Sequence, residues 1–351
     1  MNQFLKEILE QPDAIQRTLD YYTGEEGLAS LARVKKQLTK GDFKYIVFTG
    51  MGSSYFTSFA AANLFNTEKI APSFVINASE LLHYNLSLLD KPTLLVCFSQ
   101  SGESFEIKEL LRYIPASTYC VGIMNSEEST LAKRADTALF SKSGKEEMTS
   151  TKTFISTKLV AYILGWYLSD NWNQKQRDKI QKMIGQLRQL LEGSTLSIQK
   201  ALTFLGGITA IQIIARGATY ASASQSALMF KEANKIAGTG MLGGEFRHGP
   251  MEMVKPGFQS ILFAAKGKTY PQSIKMATDI AEFEGKVWLI TNGDETPEND
   301  RIYTTRIDQP DEYLFSIASI LPVQLFVDAY AKMKGFEAGS FSRGAKVTEI
   351  E

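Results

Sequence analysis

Histidine is nearly absent from this chain, with His83 and His248 the only two in 351 residues, beside just two cysteines, Cys97 and Cys120. So small a stock of imidazole and thiol leaves no ready ligand set for a transition-metal centre, and no metal is expected. Both cysteines lie inside apolar, strand-like runs, where a reduced core thiol is the ordinary reading. An excess of one charge is lacking too, since 38 Lys and Arg offset 38 Asp and Glu. A chain without a net field has nothing to draw it onto nucleic acid or an anionic membrane surface, so neither partner is expected. The longest uncharged apolar run, Leu159 to Leu168, is too short to span a bilayer, and acidic residues stand near the amino terminus where a secretory leader is basic and apolar. Cytoplasmic residence is the expectation. No Pro/Gly/Ser-rich linker or low-complexity tract interrupts the chain.

What is present is a repeat. A shift of 165 residues lays Gly52-Ser53-Ser54-Tyr55 on Gly217-Ala218-Thr219-Tyr220, Leu64-Phe65 on Met229-Phe230, Glu80-x-x-His83 on Glu245-x-x-His248 and Gly102 on Gly267. Six identities in order at one offset point to two copies of one unit. Within the first copy, β-branched and apolar runs (Tyr45 to Phe48, Ser73 to Ile76, Leu94 to Phe98, Tyr119 to Met124) alternate with helix-spaced segments. Strands separated by helices need crossovers, so the fold expected is α/β: two tandem domains, each a parallel sheet with helices on both faces, a flavodoxin-like three-layer sandwich. The expected layout is a helical segment at 1–40, a first domain at 41–150, linking helices at 151–205, a second domain at 206–335 and a tail at 336–351. Thr153 to Leu168 and Gln174 to Leu205 read as the long linking helices.

Ligands of such sheets lie beyond the carboxyl ends of the strands. There the run Leu94 to Phe98 breaks into Ser99-Gln100-Ser101-Gly102-Glu103-Ser104, followed by helical spacing from Phe105 to Tyr113. A strand ending in hydroxyls and a glycine at a helix start sets backbone N–H groups beside short donors, a cradle for phosphate. An ordinary helix cap uses the same residue types, but Gly52-Ser53-Ser54 at another strand end favours phosphate. A dinucleotide site would want Gly-x-Gly-x-x-Gly, of which Gly50-Met51-Gly52-Ser53-Ser54-Tyr55 supplies two glycines, and no acidic residue ends the next strand; no such cofactor is expected. In the second copy Ala264-Ala265-Lys266 replaces Ser99-Gln100-Ser101, so only the first copy has the hydroxyl cradle. Conversely, Lys231-Glu232 stands where the first copy has Asn66-Thr67. Taken singly, Glu232 near a helix end reads as solvated and His248 before Gly249-Pro250 as a turn residue; Glu245-x-x-His248 has the spacing of a metal pair without the further ligands.

These motifs together resemble the tandem sugar isomerase (SIS) domain family, in particular the isomerase half of the glucosamine-6-phosphate synthases. The resemblance runs from Lys6-Glu7-Ile8 near the start through Ser99 to Ser104, Ser150-Thr151-Lys152, Lys231-Glu232 and Gly244-Glu245-x-x-His248-Gly249-Pro250 to Ala345-Lys346-Val347-Thr348. It implies that Ser53, Ser99, Gln100, Ser101 and Ser104 bind a sugar phosphate and that Ser150 contacts the sugar. It assigns Glu232 to proton transfer between C1 and C2, His248 to ring opening in a neighbouring subunit's site, hence a homodimer, and Lys346 to a tail that closes over the sugar and assists ring opening or imine chemistry. No redox cofactor is required. The chain departs from the synthases at Met229, where they have a lysine, and at Phe341-Ser342-Arg343-Gly344; Asn2 follows Met1 where they carry a nucleophilic cysteine. The expectation is therefore a chain that does not draw ammonia from glutamine but releases it, converting glucosamine 6-phosphate to fructose 6-phosphate plus ammonia. The alternative is a fructosamine-6-phosphate deglycase; a synthase-type aminotransferase unit and a non-catalytic sugar-phosphate sensor rank below both.

Overall fold

A computed structural model describes residues 1–41, 43–89, 93–340 and 346. The chain forms two compact units: one comprises residues 10–181 with Lys346, the other residues 1–9 and 182–340. The chain opens with α1 (Gln3–Leu9), which belongs to the second of these units.

In the unit of residues 10–181, α2 (Gln11–Thr23) and α3 (Glu25–Lys40) lead into β1 (Tyr45–Gly50), α4 (Gly52–Thr67), β2 (Ser73–Asn77), α5 (Ala78–Tyr84), β3 (Thr93–Phe98), α6 (Phe105–Tyr113), β4 (Tyr119–Met124), α7 (Thr130–Arg134), β5 (Thr137–Phe140) and α8 (Lys152–Leu168). The five strands are all parallel, in the order β2-β1-β3-β4-β5. Every residue of β3 is buried, which is why its sequence is a continuous apolar run and not an alternating one. Successive side chains still part to opposite faces: Val47, Leu95, Cys97 and Cys120 join the core under α5, α6 and α7, while Phe48 packs edge-on against Phe65 of α4 at 4.9 Å. The cysteines are free buried thiols, their Sγ atoms 4.0 Å apart.

Helix α9 (Gln174–Leu205) passes from one unit into the other. The second unit then runs β6 (Ala210–Ala215), α10 (Tyr220–Asn234), β7 (Ala237–Leu242), α11 (Gly243–Arg247), β8 (Gln259–Ala264), α12 (Tyr270–Glu282), β9 (Lys286–Thr291), β10 (Ile302–Arg306), α13 (Glu312–Ala318) and α14 (Leu321–Met333). Its parallel sheet, β7-β6-β8-β9-β10, repeats the order of the first. Both units are three-layer α/β folds, as the repeat and the crossover argument require. Among the described residues, the stretch 312–333 has the length and apolarity to cross a membrane, and it is 89% buried within the protein. Such burial is that of a core segment.

Candidate functional site

The order β2-β1-β3-β4-β5 reverses direction between β1 and β3, so the connections leaving these two strands diverge to opposite faces and open a crevice at their carboxyl ends. Gly50 ends β1 where a Cβ would stand 2.9 Å from the Phe98 carbonyl, and Gly52, at φ +51, turns the chain into α4. Neither α4 nor α6 has a side-chain cap on its first turn, so both helices present N–H groups and the positive end of their dipole toward the crevice.

A small, narrow cleft occupies this position, lined by Ser53, Ser54 and Thr57 of α4, Gln100 of the β3–α6 loop, Ser150, and Thr153, Phe154 and Thr157 of α8. Of the residues singled out from the sequence, it brings together Ser53, Gln100 and Ser150. Ser99, Ser101 and Ser104 form the adjoining loop. Ser104 stands at the N-cap position of α6 yet caps nothing; its hydroxyl lies 3.0 Å from that of buried Ser99, whose Oγ also accepts from Gly102 N at 3.1 Å. Ser101 Oγ accepts from Glu103 N at 3.1 Å. Gly102, at φ +70, is packed so tightly that a Cβ would come within 2.2 Å of Ser129 Oγ. The hydroxyls thus shape the loop and are not spent on the helix start.

The sequence reading passed over a buried carboxylate beneath the cleft. Glu146 accepts from Thr151 N at 2.9 Å, Thr151 Oγ1 at 3.2 Å, Thr153 N at 3.1 Å and Thr153 Oγ1, and its side chain is inaccessible to solvent. Lys346 donates to Glu146 Oε2 at 2.7 Å and to the Met148 carbonyl at 2.5 Å. Burial pushes the Glu146 carboxyl up, but the Lys346 ammonium and the hydroxyl and backbone donors outweigh it and hold it below its ordinary value. An ionised carboxylate only accepts, so the single Thr153 hydroxyl proton goes to Glu146, and the contact of 2.7 Å between Ser150 Oγ and Thr153 Oγ1 is made by the Ser150 proton. The Ser150 hydroxyl is thereby oriented toward Thr153. The missed signal was hydroxyl spacing: Thr153 and Thr157 stand four residues apart in α8, as do Ser53 and Thr57 in α4, which places each pair on one helix face.

Glu232 and His248 belong to the other unit. Glu232 is half-buried two residues before the end of α10, and its main-chain carbonyl accepts from Lys235 Nζ, which also donates to the Ser340 carbonyl at 3.0 Å. His248 is exposed directly after α11, its N–H bonded to the Glu245 carbonyl at 3.0 Å. Of the tail assigned to closure, residues 341–345 and 347–351 lie outside the described residues.

Residues 42–165 and 208–331 each match the SIS domain, and the chain belongs to that family, with two copies. It is 29% identical to a glutamine–fructose-6-phosphate aminotransferase (isomerizing) of Pyrococcus horikoshii, over 99% of this chain and 57% of that protein. To the enzyme of the same name from Corynebacterium glutamicum it is 26% identical, over 99% of this chain and 58% of the other. The chain thus spans little more than half the length of these curated relatives. The fold matches that of the C-terminal domain of glucosamine-fructose-6-phosphate aminotransferase from Francisella tularensis, with a TM-score of 0.84 at 24% identity, covering 97% of this chain and 98% of that one.

Proposed function

We propose that this protein is a phosphosugar isomerase acting on an amino-sugar 6-phosphate, converting glucosamine 6-phosphate and water to fructose 6-phosphate and ammonia. The observation that carries this reading is the uncharged cleft at the switch point, lined by Ser53, Ser54 and Thr57 of α4, Gln100 of the β3–α6 loop and Ser150. Hydroxyl and amide groups beside two helix starts suit the ester, and the resemblance assigns Ser150 to the sugar. Anchoring the ester away from the reacting carbons fixes C1 and C2 for proton transfer.

After ring opening, for which His248 and Lys346 are the assigned groups, Glu232 removes the C2 proton to give an enaminol and returns a proton to C1. The C2 imine so formed takes up water and expels ammonia. Neither carbon bears a free carbanion, so a single positioned carboxylate suffices as general base. The sequence relatives support the sugar-phosphate class, since their names specify an isomerizing reaction of fructose 6-phosphate. His248, exposed on its own unit, is assigned to the site of a second copy of the chain.

The test is release of ammonia from glucosamine 6-phosphate, with galactosamine 6-phosphate and fructosyl-amino-acid 6-phosphates as competitors. Glu232→Gln is expected to lower kcat by about 10²-fold or more. Turnover that survives this change on every substrate refutes the assignment, and release of an amino acid in preference to ammonia replaces the reading with a deglycase. Mixing Glu232→Gln with His248→Ala protein is expected to restore part of the activity if sites are shared between copies; no recovery removes the dimer.

A further inference from the structure

The second sheet has the same switch point as the first, between β6 and β8, and glycines at the two corresponding positions beside it: Gly217, at φ +56, after β6, and Gly267 after β8. Between these turns lies the carboxylate of Glu312. A Cβ placed on Gly217 would stand 3.1 Å from Glu312 Oε1, and one placed on Gly267 would stand 2.8 Å from Oε2. Glu312 is the first residue of α13, but the cap of that helix is Asp311, whose Oδ1 accepts from Tyr313 N at 3.1 Å and Leu314 N at 3.2 Å. The Glu312 carboxylate is therefore free of capping and turned to the glycines. Burial and the neighbouring Asp311 push its carboxyl up, and Lys268 pulls the other way. The strand-to-helix connection that carries Ser150 in the first unit, β5 to α8, corresponds to β10 to α13, the one that carries Glu312 in the second.

We propose that Glu312 is a built-in anion: its carboxylate occupies, in the second copy, the crevice that would otherwise accept a phosphate-class dianion, and so closes that copy to phosphate esters. One copy presents a neutral hydroxyl at this connection and stays open; the other presents a carboxylate, which fills the space and repels a second anion. Lys268, whose charge already acts on the Glu312 carboxyl, remains when the carboxylate is removed, whereas Lys266 is engaged with Asp294 at 2.8 Å. The inference concerns the second unit alone and does not depend on the reaction proposed above.

The test compares the full-length parent with Glu312→Ala, and with Glu312→Ser as the small polar variant should the alanine protein be insoluble. Crystals of each are soaked in tungstate, a phosphate analogue located by its anomalous scattering. The expected result is a peak between Gly217 and Gly267 in the variant and none there in the parent. In solution, thermal-shift titrations with inorganic phosphate and, separately, with glucose 6-phosphate are expected to show a binding class in the variant at least about tenfold tighter than in the parent. A response to phosphate alone identifies a site for the free ion, and a response to both identifies one that also admits esters. A folded variant with no second peak and unchanged titrations overturns the proposal, as does a tungstate peak at Gly217 and Gly267 in the parent. A missing peak at Ser99 to Ser104 in both proteins counts against the first-copy reading and leaves this one standing.

Discussion

At the scale of single residues, Glu146 holds two functions together. Its charge fixes the direction of the hydroxyl chain from Ser150 through Thr153, and it pairs with Lys346, so one buried carboxylate orients both a hydroxyl lining the cleft and the tail lysine. Glu146→Gln replaces an obligate acceptor with a group that also donates. The chain can then reverse, and the tail loses its ion pair. We expect KM for the sugar phosphate to rise about tenfold, the equivalent of one lost hydrogen bond. A smaller change in kcat separates this positioning effect from a loss of the proton-transfer group, so initial rates over a range of substrate concentration decide it. The same residue gives a pH dependence with a definite sign. Its folded carboxyl is held below the ordinary 4.5, so its contribution to stability is present above that value and is lost as pH falls through the lower folded one. Acid unfolding of the parent, followed by circular dichroism, is expected to be steeper than that of Glu146→Gln. Nothing in the sequence separates this glutamate from its neighbours: Lys145-Glu146-Glu147 reads as a solvated charge run, and Lys145 and Glu147 do form an exposed pair.

At the scale of elements, α8 shows what helical spacing reveals and what it hides. Its apolar length announces a buried helix, and the expected span Thr153 to Leu168 differs from the observed Lys152–Leu168 by one residue. The expected helix Phe105 to Tyr113 and strand Tyr119 to Met124 coincide with α6 and β4, because abrupt changes in apolar periodicity mark the ends of these elements. Periodicity is silent about an element buried on every side, where no polar face exists to compare. Lys158 is the consequence: it is fully buried midway along α8, its amine 4.4 Å from the centre of the Phe154 ring, and burial holds its pKa well below the ordinary 10.5. The unfolded chain binds a proton here at neutral pH and the folded chain resists it, so this site subtracts stability at pH 7, and the deficit shrinks as pH climbs toward 10.5. Lys158→Met keeps the length and removes the amine. It is expected to stabilise the protein by about 1–3 kcal/mol at pH 7 in urea titrations, with a smaller gain at pH 10. An equal or larger gain at pH 10 contradicts the account.

At the scale of the whole molecule, order along the chain and membership of a unit are different things. Residues 1–40 read from sequence as one helical segment, since nothing but local spacing is available there, yet α2 and α3 belong with the first sheet and α1 with the second. The division inside α9 is equally invisible, because a regular helix has no change of composition where one unit gives way to the next. The duplicated sheets, by contrast, were legible, for six identities recur at one constant offset and the apolar runs alternate with helix-spaced segments. The reason for the placement of α1 is burial at long range: Phe4, Glu7 and Ile8 are fully buried, α1 packs on α14, and Asn2 Nδ2 donates to Asp328 Oδ1 at 2.7 Å. Burying Phe4 and Ile8 contributes about 3–5 kcal/mol. Deleting residues 1–9 should therefore weaken the distant half of the sequence and spare the adjacent one. Hydrogen exchange followed by mass spectrometry is expected to show faster exchange in α14 and in α10, which packs on it, while β1, β3 and α8 keep their protection and the cleft between α4 and α8 keeps the ester affinity proposed for it. Faster exchange centred on α2 and α8 instead would mean that α1 supports the unit that follows it in sequence.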